Sequence, residues 1–246
     1  MTSAERARLR RGAYLLPSLF TIGNVLLGFY AVVLGLRGRF EVAALLVFAA
    51  GVLDNLDGKI ARLTGTESDF GREFDSLADV LTFGAAPAWL AYHWGLWEYG
   101  RAGWLVPVFY VVCCATRLAR FNVQTAVADY RWFVGLPAPA AAGGIASFLF
   151  FAPDKDWKLW SQGALFAALV GIGVLMVSTF RYPSFKQLDL RRRWSYRAFL
   201  PIAAGLLTIV YWPTAFFLVV AIVYITWSPL AWAVGRLFRR RREPLS

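Results

Sequence analysis

Long apolar runs recur along the whole chain, and they limit the folds open to it. Eight stretches are long and apolar enough to cross a bilayer as a helix, which takes about 20 residues. They cover roughly residues 15–36, 40–62, 74–95, 103–120, 133–152, 162–180, 198–212 and 214–234. Only Trp212–Pro213 separates the last two runs, so these two could instead form one re-entrant hairpin. We therefore expect an all-α, polytopic membrane bundle of about eight helices.

Composition and charge agree with a membrane protein. Hydrophobic residues make up 59% of the 246 residues, against about 45–50% in soluble domains. With the N-terminus in the cytoplasm, all but five of the 26 Lys and Arg residues fall on the cytoplasmic side. The five are Arg37, Arg39, Arg101, Lys155 and Lys158. Because positive charge sets membrane orientation, the net charge of +11 predicts anionic headgroups, not nucleic acid, as its partner.

Several other classes of function find no support. The first apolar run is too long for a signal peptide and no cleavage pattern follows it before Arg37, so we expect a retained helix. Cys113 and Cys114 are adjacent in an apolar run and predict small core residues, because two cysteines cannot build a zinc site. The single histidine, His93, lies outside every motif found here, which disfavours a histidine-rich metal site or a serine–histidine hydrolase.

Carboxylates are costly at membrane depth, yet four aspartates occur close together in this chain. They are Asp54, Asp57, Asp75 and Asp79. The first two share a helical face with Gly58, because residues three and four apart lie side by side on a helix. The other two follow Gly71 at intervals of four and form a second stripe.

A short polar turn over residues 63–70 would join the two stripes as antiparallel helices, so that four carboxylates converge at the cytoplasmic end. Like charges at close range need counter-charge, and hard divalent cations prefer oxygen ligands. The pattern therefore predicts a site for one or two Mg²⁺ or Mn²⁺ ions, which suits phosphoryl transfer. Pairing with Arg62 and Arg72 alone would leave an excess of acid. Asp69 and Glu73 lie off the stripes, where helix capping and solvation explain them.

The acidic pattern resembles the signature of the CDP-alcohol phosphotransferase family. Asp54-x-x-Asp57-Gly58-x-x-Ala61-Arg62, eight residues and then Gly71-x-x-x-Asp75-x-x-x-Asp79 fill every signature position. The resemblance implies a membrane-embedded enzyme that transfers a phospho-alcohol group from a CDP-linked donor to a hydroxyl and releases CMP. It also implies a homodimer and six core transmembrane helices, to which this chain adds two.

Roles for individual residues follow from this resemblance. It implies that Asp54, Asp57 and Asp75 bind metal, and that Asp79 completes the site and is the candidate catalytic base. The residues implied for the nucleotide and the donor are Asn24, Gly58, Ala61, Arg62, Thr66, Asp69 and Gly71. For Asn24, a hydrogen bond between packed helices is the alternative role.

Four flanking segments narrow the resemblance. Residues 16–24, 117–122, 133–139 and 178–186 are similar to stretches of the membrane-embedded phosphatidylserine synthases of bacteria and archaea. This implies transfer of the phosphatidyl group from CDP-diacylglycerol to L-serine. Candidate ligands of the acceptor or of lipid phosphate are Arg117, Arg120, Asn122, Arg181, Ser184 and Lys186. For the basic ones, a purely topological role is the alternative.

The sequence leaves open other acceptor alcohols and one other class of protein. A phosphatidylglycerophosphate or phosphatidylinositol-phosphate synthase would share the acidic pattern. An ion-coupled transporter would also place acids in the membrane, but these acids cluster at one end and do not follow a path. We expect a basic cytoplasmic N-terminus at 1–14, the family domain at 15–190, two additional helices at 198–234 and a basic cytoplasmic tail at 235–246.

Overall fold

The computed structural model describes residues 3–64, 69–124, 132–153, 158–183, 203, 205 and 207–240. Its helices are α1 (Ser3–Leu36), α2 (Phe40–Thr64), α3 (Asp69–Asp79), α4 (Ala86–Trp94), α5 (Gly100–Gln124), α6 (Ala138–Phe151), α7 (Lys158–Val177) and α8 (Pro213–Arg240). A π-helical turn, Val80–Ala85, joins α3 to α4, and a 3₁₀ turn, Leu96–Tyr99, precedes α5. The predicted helical membrane bundle is confirmed.

Several of the described helices suit a bilayer in length and composition. Four apolar segments within them are long enough to cross one: Leu19–Leu36, Leu96–Val123, Trp160–Val177 and Pro213–Val234. Large apolar side chains such as Phe29, Val112 and Val219 are exposed on the outside of the bundle. In water such a surface would be unfavourable, whereas lipid tails cover it without cost. The protein is a multi-pass membrane protein.

Small residues bring the central helices close together. On α2, Ala43, Ala44 and Ala50 are buried, and α6 contributes Ala141 and Ala142 to the same core. Because lipid offers no hydrophobic drive for association, membrane helices gain stability from close packing at small side chains. The alanines thus place α2 against α6 and fix the helix that carries Asp54 and Asp57.

A two-stranded antiparallel ribbon interrupts the helical bundle. Strand β1 (Trp132–Val134) pairs with β2 (Arg181–Pro183), with residue 133 opposite residue 182. The fifth helix was predicted from residue 133 and begins instead at Ala138, so that boundary was wrong. The physical reason is Pro137, which has extended ψ of 140°, preceded by Gly135 at a φ of 81°. Neither conformation continues a helix.

Other helix boundaries also differ from the expectation: the first helix was predicted from residue 15, and α1 begins at Ser3. The third helical run was predicted from residue 74, and the helix begins five residues earlier, at Asp69. Most of the predicted seventh run lies outside the described residues, although residues 207–211 are helical. The eighth run forms α8, which packs on the core through Phe217, Tyr224 and Ile225. On its own, α8 is long enough to cross a bilayer.

Candidate functional site

Three of the four predicted aspartates meet where α2 and α3 approach each other. Asp54 of α2 and Asp75 and Asp79 of α3 each offer a carboxylate oxygen, and these oxygens all lie within 4.8 Å of one another. We call these three residues the acidic cluster. The carboxyl groups of Asp54 and Asp79 are hydrogen-bonded to each other. Two carboxyls can approach so closely only with a shared proton or a cation between them.

The fourth aspartate adjoins the acidic cluster. Asp57 lies one turn after Asp54 on α2 and within electrostatic range of Asp75. Its Oδ2 accepts a hydrogen bond from the Thr21 hydroxyl of α1 at 2.7 Å. Its side chain is buried, so the hydroxyl holds the carboxylate at one orientation. Both stripes of aspartates inferred from sequence spacing are therefore present, and α1 packs beside them.

Unsatisfied polar atoms mark the surroundings of the acidic cluster. Among the described residues, Asp57 Oδ1, Asp79 Oδ1 and the Arg117 Nε are buried without a hydrogen-bond partner. The side-chain amide nitrogen and oxygen of Asn24 are likewise buried without a hydrogen-bond partner. Buried polar groups in native proteins almost always have partners. Orphaned carboxylate oxygens beside a cluster of acids fit a bound divalent cation, because hard cations take such oxygens as ligands.

Arg117 is the nearest described counter-charge. It lies on α5, is buried, and interacts electrostatically with Asp79. Its guanidinium carbon is 6.0 Å from the centre of the Phe121 ring. One guanidinium cannot by itself neutralise Asp54, Asp57, Asp75 and Asp79, which fits a role for metal ions in offsetting charge at this site.

The residues implied for the nucleotide occupy different settings. Gly58 is exposed, and a Cβ there would meet no atom within 4 Å, which leaves open space beside the acidic cluster. Asn24 is buried on α1, and Gly71 is partly buried on α3. Asp69 is exposed and pairs with Arg72 at 2.9 Å. The side chains of Ala61 and Arg62, and the whole of Thr66, lie outside the described residues. The nucleotide roles stay a prediction.

The residues implied to bind the acceptor lie in different parts of the structure. Arg117 lies at the acidic cluster, whereas Arg120 donates hydrogen bonds to the backbone carbonyls of residues 134, 176, 177 and 178. The Asn122 amide donates to Ser76 at 3.0 Å and so ties α5 to α3. Arg181 is exposed. Ser184 and Lys186 lie outside the described residues. These contacts give Arg120 and Asn122 structural partners, and their binding roles stay predictions.

Sequence reasoning missed two residues that bear on the site. Thr21 binds Asp57, and the only sequence signal for this is that Thr21 precedes Asn24 by three residues on one helical face. Tyr110 is fully buried on α5 and donates to the Phe83 carbonyl in the π-helical turn after Asp79. No sequence pattern marks that contact, because it depends on which helices are neighbours.

An apolar groove runs along α2, on the side toward α6 and α8. It encloses about 440 Å³ between α2, α6 and α8. Its lining includes Val47, Phe48, Gly51, Val52 and Lys59 of α2 and Phe217 of α8. The groove residues follow the helical repeat of α2, on a different face from Asp54 and Asp57.

Comparison with known proteins agrees with the geometry. Residues 14–180 match the sequence model of the CDP-alcohol phosphatidyltransferases. The chain belongs to this family. The resemblance inferred from the aspartate pattern is thereby confirmed. In this CDP-alcohol phosphatidyltransferase, the acidic cluster, Asp57 and the orphaned oxygens provide a donor set that fits the divalent-metal dependence of the family.

Similar proteins come from both bacteria and archaea. A CDP-diacylglycerol–serine O-phosphatidyltransferase of Helicobacter pylori is 41% identical over 188 residues, 76% of this chain and 78% of the relative. The protein of that name in Bacillus subtilis is 34% identical over 70% of this chain and 92% of its own length. An archaetidylserine synthase of Methanothermobacter thermautotrophicus is 35% identical over 68% of this chain and 69% of its own length.

Proposed function

We propose that this protein is a phosphatidylserine synthase, which transfers the phosphatidyl group from CDP-diacylglycerol to the hydroxyl of L-serine and releases CMP. The observation that carries the transfer chemistry is the acidic cluster, three carboxylates within 4.8 Å of one another. The choice of serine is supported by the names of the relatives from Helicobacter pylori and Bacillus subtilis.

In the proposed reaction, the serine hydroxyl oxygen forms a bond to the phosphorus that carries diacylglycerol. The bond from this phosphorus to the oxygen of CMP breaks, and CMP leaves with the electron pair. Asp79 is the proposed base that accepts the hydroxyl proton, because its buried Oδ1 has no hydrogen-bond partner among the described residues. A carboxylate that is poorly solvated and close to other acids is a better base than one in water.

The other acids and Arg117 would hold the reacting groups. Asp54, Asp57, Asp75 and Asp79 are the proposed ligands of Mg²⁺ or Mn²⁺, with two ions expected. The metal, when bound, would offset the charge of the diphosphate and of the departing CMP. Arg117 would bind a phosphate oxygen or the serine carboxylate, since its planar guanidinium suits both anions.

Space for the two parts of the donor is proposed at two places along α2. The open surface at Gly58 would admit the cytidine nucleotide, with Asn24, Ala61, Arg62, Thr66, Asp69 and Gly71 as further proposed contacts. The apolar groove between α2, α6 and α8 would hold an acyl chain, and Lys59 in its lining would lie near the headgroup. Arg120, Asn122, Arg181, Ser184 and Lys186 are retained as proposed contacts of the acceptor or of lipid phosphate.

The proposed location is the cell membrane, with the acidic cluster at the cytoplasmic side. The support is the distribution of charge, since five of the 26 basic residues fall on the opposite side. A homodimer, as implied by the family resemblance, is part of the same proposal. The residue ranges expected from sequence, 15–190 for the family domain and 198–234 for the added helices, are proposed as its organisation.

An acceptor screen tests this proposal directly. The full-length protein in detergent micelles would be given CDP-diacylglycerol and Mn²⁺, and CMP release would be measured with L-serine, glycerol 3-phosphate or inositol phosphate. We expect CMP release with L-serine and not with L-alanine, which has no hydroxyl. Release with glycerol 3-phosphate but not with serine would replace the proposed acceptor. Absence of CMP with every acceptor would contradict the transferase chemistry.

A donor comparison fixes the lipid class. The archaeal relative is named for an archaetidyl product, so the same assay would be run with a diacyl donor and with a diether donor. We expect turnover of the diacyl donor. A strong preference for the diether donor would assign the chain to archaetidylserine synthesis instead.

A further inference from the structure

The helix that carries Asp75 and Asp79 does not continue as a regular α-helix. Directly after Asp79 it widens into the π-helical turn Val80–Ala85, in which the Ala86 amide donates to the carbonyl five residues earlier, that of Leu81. Such turns occur mainly as single insertions within α-helices and often at functional sites. The orientation of Asp79 thus depends on the conformation of this turn.

The sequence explains why the turn occurs here. In a regular α-helix the Phe83 carbonyl would accept from the amide of residue 87, which is Pro87 and has no N–H. The proline ring would also collide with that carbonyl. The wider turn relieves the collision, but the buried carbonyl then needs another donor.

Tyr110 of α5 provides that donor. Its hydroxyl donates to the Phe83 carbonyl oxygen at 3.0 Å, and both side chains are fully buried. A second hydroxyl fixes the turn from the opposite side, because Thr82 donates to the Asn24 carbonyl of α1 at 3.2 Å. The turn is therefore attached to two neighbouring helices by side-chain hydroxyl groups.

The turn packs closely against α1 and α5. A Cβ at Gly28 of α1 would lie 3.0 Å from the Thr82 Cα, and a Cβ at Gly84 would lie 3.3 Å from the Cys114 Sγ. Close contact on both sides means that a shift of the turn is passed on to the helices around it.

We infer that Tyr110 is a positioning residue for Asp79: its hydrogen bond to the Phe83 carbonyl holds the π-helical turn and thereby the direction in which α3 presents Asp75 and Asp79 to Asp54. This rests on the proposed function, in which Asp79 is a metal ligand. Without the hydroxyl, the buried Phe83 carbonyl loses this donor, and the turn can shift to bring the carbonyl to another one. One residue corresponds to about 100° of helix rotation, so even a partial change of winding there would turn Asp79 away from Asp54.

A matched pair of substitutions separates positioning from stability. Tyr110→Phe removes the hydroxyl at the π-helical turn, and Tyr182→Phe removes the hydroxyl of another fully buried tyrosine side chain, which donates to the Ile225 carbonyl, also at 3.0 Å. Binding of Mn²⁺ to each purified full-length protein would be measured by the loss of the free-ion signal in electron paramagnetic resonance. The half-saturating Mn²⁺ concentration for CMP release would be measured in parallel.

We expect Tyr110→Phe to bind Mn²⁺ roughly 10-fold more weakly than the unmodified protein, as for other groups that orient metal ligands. Tyr182→Phe should bind it as the unmodified protein does. Equal binding in all three proteins, or equal weakening in both variants, would overturn the inference. Failure of the unmodified protein to bind Mn²⁺ would instead contradict the proposed function.

If Tyr110→Phe does not fold, a second variant tests the inference in its place. Thr82→Val removes the other hydroxyl of the turn and keeps its shape, so it should weaken Mn²⁺ binding in the same direction. Unchanged binding in Thr82→Val would overturn the inference in that case. So would misfolding of both variants, since the turn would then serve folding and not the orientation of Asp79.

Discussion

Asp79 carries more of the proposed chemistry than any other residue, because it is both a ligand candidate and the candidate base. Its side chain is buried, and it interacts with Asp54, Asp75 and Arg117. Asp79→Asn keeps the shape of the side chain and removes its charge and its basicity. We expect CMP release from CDP-diacylglycerol and serine to fall by about 10²–10⁴-fold, while the protein remains inserted and folded.

Asp75→Asn should give a loss of the same kind, because it removes a second acid from the cluster. The control is Glu41→Gln, the same chemical change on an exposed acid at the opposite end of α2. It should leave activity unchanged. Full turnover in Asp79→Asn, measured at saturating metal with size-exclusion chromatography as the test of folding, would refute the assigned role.

Thr21 supports a separate prediction about the fourth aspartate. Its hydroxyl donates to Asp57 at 2.7 Å, and groups that orient a metal ligand typically change affinity by about 10–100-fold when removed. Thr21→Val should therefore raise the Mn²⁺ concentration needed for half-maximal CMP release by roughly 10-fold. Thr21→Ser retains the hydroxyl and should restore most of the difference. Equal half-maximal Mn²⁺ concentrations for the valine and serine variants would show that the Thr21 hydroxyl does not orient Asp57 for metal binding.

At this scale the sequence predicts which residues are close along one helix, but not which residues on other helices they meet. Asp54, Asp75 and Asp79 are the exception, because the short turn predicted over residues 63–70 makes α2 and α3 antiparallel neighbours and their spacing then places them together. The partner of Asp57 was not predictable, because it required knowing that α1 packs beside α2. The same limit explains Arg120, whose basic side chain suggested an anion site and whose observed partners are backbone carbonyls.

Among the secondary-structure elements, the junction around the β-ribbon shows what periodicity cannot resolve. Hydropathy predicted a fifth helix from residue 133, since an apolar strand and an apolar helix look alike over a few residues. The backbone instead turns at Gly135, whose φ is 81°. A Cβ there would overlap the Met176 carbonyl oxygen. Prolines at 137 and 139 were visible in the sequence, but the pairing of β1 with β2 spans more than 40 residues.

Arg120 holds this junction together, which gives a prediction about stability. Its guanidinium donates to the Val177 carbonyl at the end of α7 at 2.9 Å and to the Val134 carbonyl of β1 at 3.2 Å. Lysine has the charge but not the planar fork that reaches several carbonyls. Arg120→Lys should destabilise the fold by about 2–3 kcal/mol, measured as a lower midpoint of thermal unfolding in detergent.

The matched control for Arg120→Lys is Arg101→Lys, the same exchange at an exposed position on α5. It should leave the midpoint unchanged. If Arg120→Lys and Arg101→Lys had the same midpoint of thermal unfolding, the carbonyl contacts of Arg120 would contribute no stability. The predicted role of Arg120 as an acceptor ligand would then gain support.

For the whole molecule, the distribution of charge and the position of the acidic cluster together predict its orientation in the membrane. The cluster lies on the same predicted side as the basic excess, so the protein would meet water-soluble serine and release CMP inside the cell. Hydropathy and charge predict this arrangement, and it stays a prediction. The wide turn after Asp79 was not predictable in the same way, because it arises from Pro87 together with a tyrosine on a different helix.

Orientation can be tested with single added cysteines. Arg37 lies in the exposed turn between α1 and α2, and Asp69 lies at the exposed start of α3. The native Cys113 and Cys114 are buried, so they should contribute little labelling. In intact cells, a membrane-impermeant maleimide should label Arg37→Cys and leave Asp69→Cys unlabelled until the membrane is opened, because Asp69 is predicted to face the cytoplasm. The reverse pattern would place the acidic cluster outside, where no cytoplasmic nucleotide donor could reach it.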